Sequence, residues 1–161
     1  MRSTQFDDHF PFQEECEHHR RNELHTRTES VSRDCIVLCI DDRPPLLELR
    51  KASLASHGIC TKTAVNGYAA MKMLEQMAVD AIILEYKQEG MDSEAVAYQI
   101  KQRFPHLPII MLSACTYIPK RALWLVDEYV MKSELPGGLL RALQRVKQPT
   151  NTYGASARRA R

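Results

Sequence analysis

The sequence predicts an α/β fold in which a parallel sheet is covered by helices. Three short, continuous apolar runs, Cys35 to Ile40, Ala81 to Leu84 and Ile109 to Leu112, read as strands buried on both faces. Segments with helical apolar spacing separate them, and no hairpin signal joins one strand to the next. In such sheets polar residues at the carboxyl ends of the strands line the binding crevice.

The first strand starts at Cys35, where Cys35 and Cys39 serve as small core residues. Asp41-Asp42-Arg43-Pro44-Pro45 follows and combines helix-capping acids with prolines suited to a first helical turn. Leu46, Leu47, Leu49, Leu54 and Ala55 then recur at helical spacing up to Gly58, which stops the helix. Ile59 to Val65 forms a second strand, and Asn66-Gly67 reads as a turn before a helix over Tyr68 to Met77. Ala81 to Leu84 is the third strand and ends at Glu85. A polar loop containing Gly90 leads to a helix over Ser93 to Phe104. Pro105 and Pro108 bracket the break before the fourth strand. A weaker helix is expected between Pro119 and Leu125, then a short strand at Tyr129 to Met131. Pro136 opens a last helix through Leu139, Leu140, Leu143 and Val146.

The 161 residues suit one domain with tails, and a hydrophobic fraction of 44% suffices for a core. Residues 1–34 read as a disordered or weakly helical extension, 35–147 as the domain, and 148–161 as a basic flexible tail. A net charge of +2 is too small to argue for nucleic acid or an anionic surface. No segment approaches the roughly 20 apolar residues of a membrane span. Five cysteines without paired spacing, and an N-terminus without a signal-like apolar core, suggest the cytoplasm.

The residues directly after the apolar runs are Asp41 and Asp42, Glu85, Ser113 and Lys132. A parallel sheet brings these three acids, one hydroxyl and one amine to a single edge. Three carboxylates raise one another's pKa and need a cation, either Lys132 or a hard divalent ion such as Mg²⁺. Ser113 and Lys132 suit a phosphoryl group. Taken singly, an acid after a strand is also a common helix cap, a serine a turn residue and a lysine a solvated charge. The full set in this order points to phosphoryl handling.

With its flanking motifs, the set resembles the receiver domains of two-component response regulators over about Cys35 to Val146. The resemblance rests on Ile40-Asp41-Asp42, on Asp80-Ala81-Ile82-Ile83-Leu84-Glu85-Tyr86 with Gly90-Met91-Asp92, on Pro108-Ile109-Ile110-Met111-Leu112-Ser113-Ala114, and on Tyr129-Val130-Met131-Lys132. It implies a flavodoxin-like (βα)5 doubly wound sheet in the order 2-1-3-4-5. It also implies a signalling module of two-component phosphorelays rather than an enzyme. In that family the acidic pair binds Mg²⁺ and an aspartate after the third strand accepts phosphate from a histidine kinase. A Ser or Thr and a Lys contact the phosphoryl group, and an aromatic residue on the fifth strand rotates inward. By position, Mg²⁺ would fall to Asp41, Asp42 and Glu85, the acceptor place to Glu85, phosphoryl contacts to Ser113 and Lys132, and the switch to Tyr129. The implied partner is a sensor histidine kinase or downstream regulator, with no membrane or small-molecule substrate. The partner face would include Trp124, Leu125, Tyr129 and Leu135. Trp124 is either an anchor there or simple packing.

Several positions depart from the family pattern. Glu85 replaces the acceptor aspartate, and its extra methylene moves the carboxylate by about 1.5 Å. Phosphoryl transfer depends mostly on positioning, so a weak acceptor, a pseudo-receiver, is expected. Glu85 would instead act as an imperfect phosphate mimic, with one charge against nearly two. Gln88 and Glu89 stand where Met-Pro is common, Ser93 replaces a glycine, and Ser133 replaces the proline after the lysine, removing a frequently cis bond. The tail after Val146 is too short for an output module, which gives a stand-alone receiver acting by protein contact. Two alternatives remain: a working Mg²⁺-dependent phosphoacceptor, and a nucleic-acid-associated protein using Arg158, Arg159 and Arg161. No recognition helix or aromatic interleaving supports the latter. Cys16, His18 and His19, with His9 and His25 nearby, lack zinc-ligand spacing.

Overall fold

A computed structural model describes residues 35–86 and 92–147. The readings placed on the N-terminal extension with its Cys and His residues, on Gln88, Glu89, Gly90 and Met91, and on the basic tail lie outside the described residues.

Strands β1 (Cys35–Ile40), β2 (Ile59–Ala64), β3 (Ala81–Glu85), β4 (Ile109–Ser113) and β5 (Glu128–Met131) form one parallel sheet in the order β2-β1-β3-β4-β5. This is the order the resemblance implies. Helices α1 (Pro44–Ala55), α2 (Gly67–Gln76), α3 (Ser93–Arg103), α4 (Lys120–Leu123) and α5 (Gly137–Lys147) connect the strands.

Side chains alternate across a strand, so each apolar run serves two cores. Val37, Cys39, Ala81 and Ile83 face Leu47 and Leu54 of α1 and Leu139 and Leu143 of α5. Leu38, Ile40, Ile82 and Leu84 face Ala70 and Leu74 of α2 and Val96 and Ile100 of α3. Both faces being covered explains why the strands read as unbroken apolar runs rather than alternating ones.

Three local readings change. The acids after β1 do not cap α1. Arg43 is the N-cap residue without a side-chain bond, while Asp41 Oδ1 accepts the Arg43 backbone N–H at 3.0 Å in an Asx-type turn. Asn66-Gly67 is a helix start rather than a free turn. Asn66 Oδ1 accepts the Ala69 N–H at 2.8 Å, and Gly67 begins α2. A Cβ on Gly67 would stand 2.5 Å from Val96 Cγ2, so glycine here permits α2 to approach α3. The weak fourth helix is a single turn, shorter than the expected span. Gly58 ends the α1 connection in the left-handed region, at φ 71°, as a stop residue should.

Candidate functional site

The carboxyl ends of β1, β3, β4 and β5 lie side by side and carry Asp41, Glu85, Ser113 and Lys132 to one edge. Asp41 and Glu85 are buried, with side chains 0% and 3% exposed. Buried carboxylates need compensation, and the pocket supplies it from three cations. Lys132 Nζ donates to Glu85 Oε1 at 2.7 Å. The departure at Ser133 thus leaves Lys132 turned into the pocket; the cis peptide bond among the described residues is Leu135–Pro136.

The second cation is Arg50, on the core-facing side of α1 and 8% exposed. Its Nη1 lies 3.5 Å from Asp41 Oδ2 and its Nη2 3.7 Å from Glu85 Oε2, so one guanidinium spans both buried acids. The third is Arg43, which is 54% exposed. It lies 3.5 Å from Asp41, 3.9 Å from the partly buried Asp42 and 4.0 Å from Glu85. Burial pushes the Glu85 carboxyl above its ordinary value, Lys132 pulls it back, Asp41 adds to the rise and Arg50 opposes it.

Ser113 and Tyr129 sit beside this cluster, tied to the loop after β4. Ser113 is fully buried and its Oγ accepts the Cys115 N–H at 2.9 Å. The half-buried Tyr129 donates its hydroxyl to the Cys115 carbonyl at 2.7 Å, and burial pushes its phenol up. Its ring packs against a small cluster that includes Tyr86, Met111 and Ile118. Ser93 is buried and donates to the Glu85 carbonyl at 2.6 Å, fastening the start of α3 to the end of β3. Trp124 is 82% exposed and therefore not packing; Tyr117 and Leu135 are exposed too, whereas Leu125 packs partly into the α2–α3 core.

The strand-end rule finds Asp41, Asp42, Glu85, Ser113 and Lys132. It misses Arg43, which lies next to the acids, and Arg50, which lies on a helix. The signal for Arg50 is its spacing, three residues after Leu47 and four before Leu54, the other two buried positions of α1. Leu49, which the apolar count favoured, is 67% exposed.

The acids as arranged do not fit a divalent ion. Mg²⁺ takes oxygens at about 2.0–2.1 Å in an octahedron, whereas the carboxylates of Asp41, Asp42 and Glu85 each face a guanidinium. Among the described residues no three acidic, histidine or cysteine side chains converge in a metal-holding group. No described helix is long and apolar enough to cross a membrane.

The family model described as the response regulator receiver domain matches residues 37–144. Transcriptional regulatory protein GlrR of Escherichia coli (strain K12) is 32% identical over 83 residues, 52% of this chain and 19% of GlrR. DNA-binding transcriptional regulator NtrC of the same strain is 33% identical over 79 residues, 49% of this chain and 17% of NtrC. The chain thus spans under a fifth of the length of these curated relatives. Response regulator protein TrrA of Thermotoga maritima, solved in complex with Mg(2+)-BeF, has a TM-score of 0.65 at 30% identity, covering 70% of this chain and 98% of TrrA. TrrA has also been solved in complex with the histidine kinase ThkA.

Proposed function

Because this chain belongs to the response regulator receiver domain family, we propose that it is a cytoplasmic two-component signalling module that acts by protein contact and accepts phosphate at Glu85 weakly or not at all. The observation that carries this reading is the state of the Glu85 carboxylate. It is 3% exposed and already contacted by Lys132 at 2.7 Å, with both arginines within 4.0 Å. In-line phosphoryl transfer needs a nucleophile that a donor can reach in the right geometry. A carboxylate this deeply buried, with Lys132 already on one oxygen, is poorly placed for a donor to reach.

Glu85 instead holds a negative charge against Lys132, the residue a phosphoryl oxygen would engage in the family. It carries one charge where a phosphate carries nearly two, so the engaged state is partial. Tyr129 and the loop after β4 would pass that state to the face bearing Trp124. The partner is a sensor histidine kinase, the kind of protein with which TrrA has been solved, or a downstream regulator.

The second reading, a working phosphoacceptor, is favoured by Ser113 and Lys132, which stand at the ends of neighbouring β4 and β5. Intact-mass spectrometry after incubation with a small acyl phosphate and MgCl₂ separates the two. The proposed reading expects no added phosphoryl group. Stoichiometric addition, lost in Glu85→Gln, would establish the second.

A further inference from the structure

We propose that Arg50 is a built-in counter-ion that takes the place of a divalent cation in this pocket, so that the acidic site is organised without metal. The inference deepens the receiver reading and rests on it.

Arg50 occupies a core position of α1, in line with Leu47 and Leu54, and all three are buried. Burying a guanidinium among aliphatic side chains carries a large desolvation penalty unless well-placed anions offset it. Here the anions are Asp41 from the end of β1 and Glu85 from the end of β3, the two buried acids among the described residues. One planar group meets both, at 3.5 and 3.7 Å. Bridging acids from neighbouring strand ends is the task a bound dication would perform with its oxygen ligands and waters.

Charge balance points the same way. Asp41, Asp42 and Glu85 supply three negative charges, and Arg43, Arg50 and Lys132 supply three positive ones. Among the described residues that leaves no net negative charge to draw in a dication. The two arginines are not equivalent in this role. Arg43 is 54% exposed and makes contacts of 3.5 to 4.0 Å, so it can swing into solvent and yield its place. Arg50 is enclosed by the packing of α1 on the sheet and cannot leave without opening the core. A guanidinium is also permanently charged and covalently tethered, so its compensation does not vary with free metal.

The test is a titration of the full 161-residue chain with MgCl₂ alone, followed by backbone amide NMR at Asp41, Asp42 and Glu85 and by melting temperature. Wild type is expected to show no saturable shift at those amides and a melting temperature indifferent to MgCl₂ or chelator. Arg50→Leu completes the apolar stripe of α1 but strips the acids of their bridge. It is expected to show a saturable Mg²⁺ shift at those amides, which wild type lacks, and to become thermally Mg²⁺-dependent. Arg50→Lys keeps the charge and should remain Mg²⁺-indifferent. Saturable Mg²⁺ binding by wild type at Asp41, Asp42 and Glu85 overturns the proposal, whether or not Arg50→Leu folds. A folded Arg50→Leu that ignores Mg²⁺ overturns it as well. These outcomes are separate from phosphoryl uptake, which bears on the receiver reading and is scored by mass.

Discussion

Arg50 and Arg43 contact the same acids, yet their surroundings set different values on those contacts. Removing one partner of a buried ion pair leaves the other charge uncompensated and costs about 3–5 kcal/mol. Arg50→Ala is therefore expected to lower unfolding free energy by about that much, since Asp41 and Glu85 lie beneath it. Arg43→Ala, at an exposed position, should change it by about 0–1 kcal/mol. Urea denaturation of the two variants checks the contrast, and equal effects would mean Arg50 is better hydrated than its burial indicates. The acids were legible in the sequence because strand ends mark them. Arg50 was not, because a helix position declares its facing only through phase. Counting leucines put Leu49 on the inner side, while the true stripe runs Leu47, Arg50, Leu54.

At the scale of elements, close approach and capping decide where the helices lie. Gly67 opens α2 directly against Val96 of α3. Gly67→Leu must push that contact apart, and overpacking of this kind costs about 1–3 kcal/mol; thermal unfolding of the variant measures it, and an unchanged melting temperature would show that Val96 yields freely. The dipeptide Asn66-Gly67 looked like a turn because its residue types fit one. The structure uses the same chemistry differently, with Asn66 as cap and Gly67 as contact. Asp92 caps α3 in the same manner, accepting the Glu94 and Ala95 N–H groups. Asp41, by contrast, resembled a cap but spends its carboxylate on Arg50 and on the Arg43 amide. Composition names residues that can cap; the competing partner, distant in sequence, decides whether they do.

For the molecule as a whole, the sheet and its topology were readable because two-sided burial makes each central strand a plain apolar run. The cation set was not, since it depends on how α1 lies over the strand ends. That set gives the whole chain a pH signature. Unfolded, Glu85 titrates near its ordinary 4.5; folded, burial holds its proton to higher pH. Between those two values the folded state binds more protons, so the Glu85 contribution to stability falls as pH rises through the window. Glu85→Gln removes this component. The difference between wild-type and Glu85→Gln unfolding free energies should therefore move against wild type as pH rises from 4.5 through the folded value. A flat difference in denaturant melts across that range would show Glu85 ionising as freely as in water. The contact of Glu85 with Lys132 has one more consequence, in time rather than energy. A phosphoryl mark decays by hydrolysis, whereas a carboxylate written into the polypeptide cannot be erased. Under the proposed reading the duration of the signal is the lifetime of the chain, and its strength follows how fast the cell makes and degrades it.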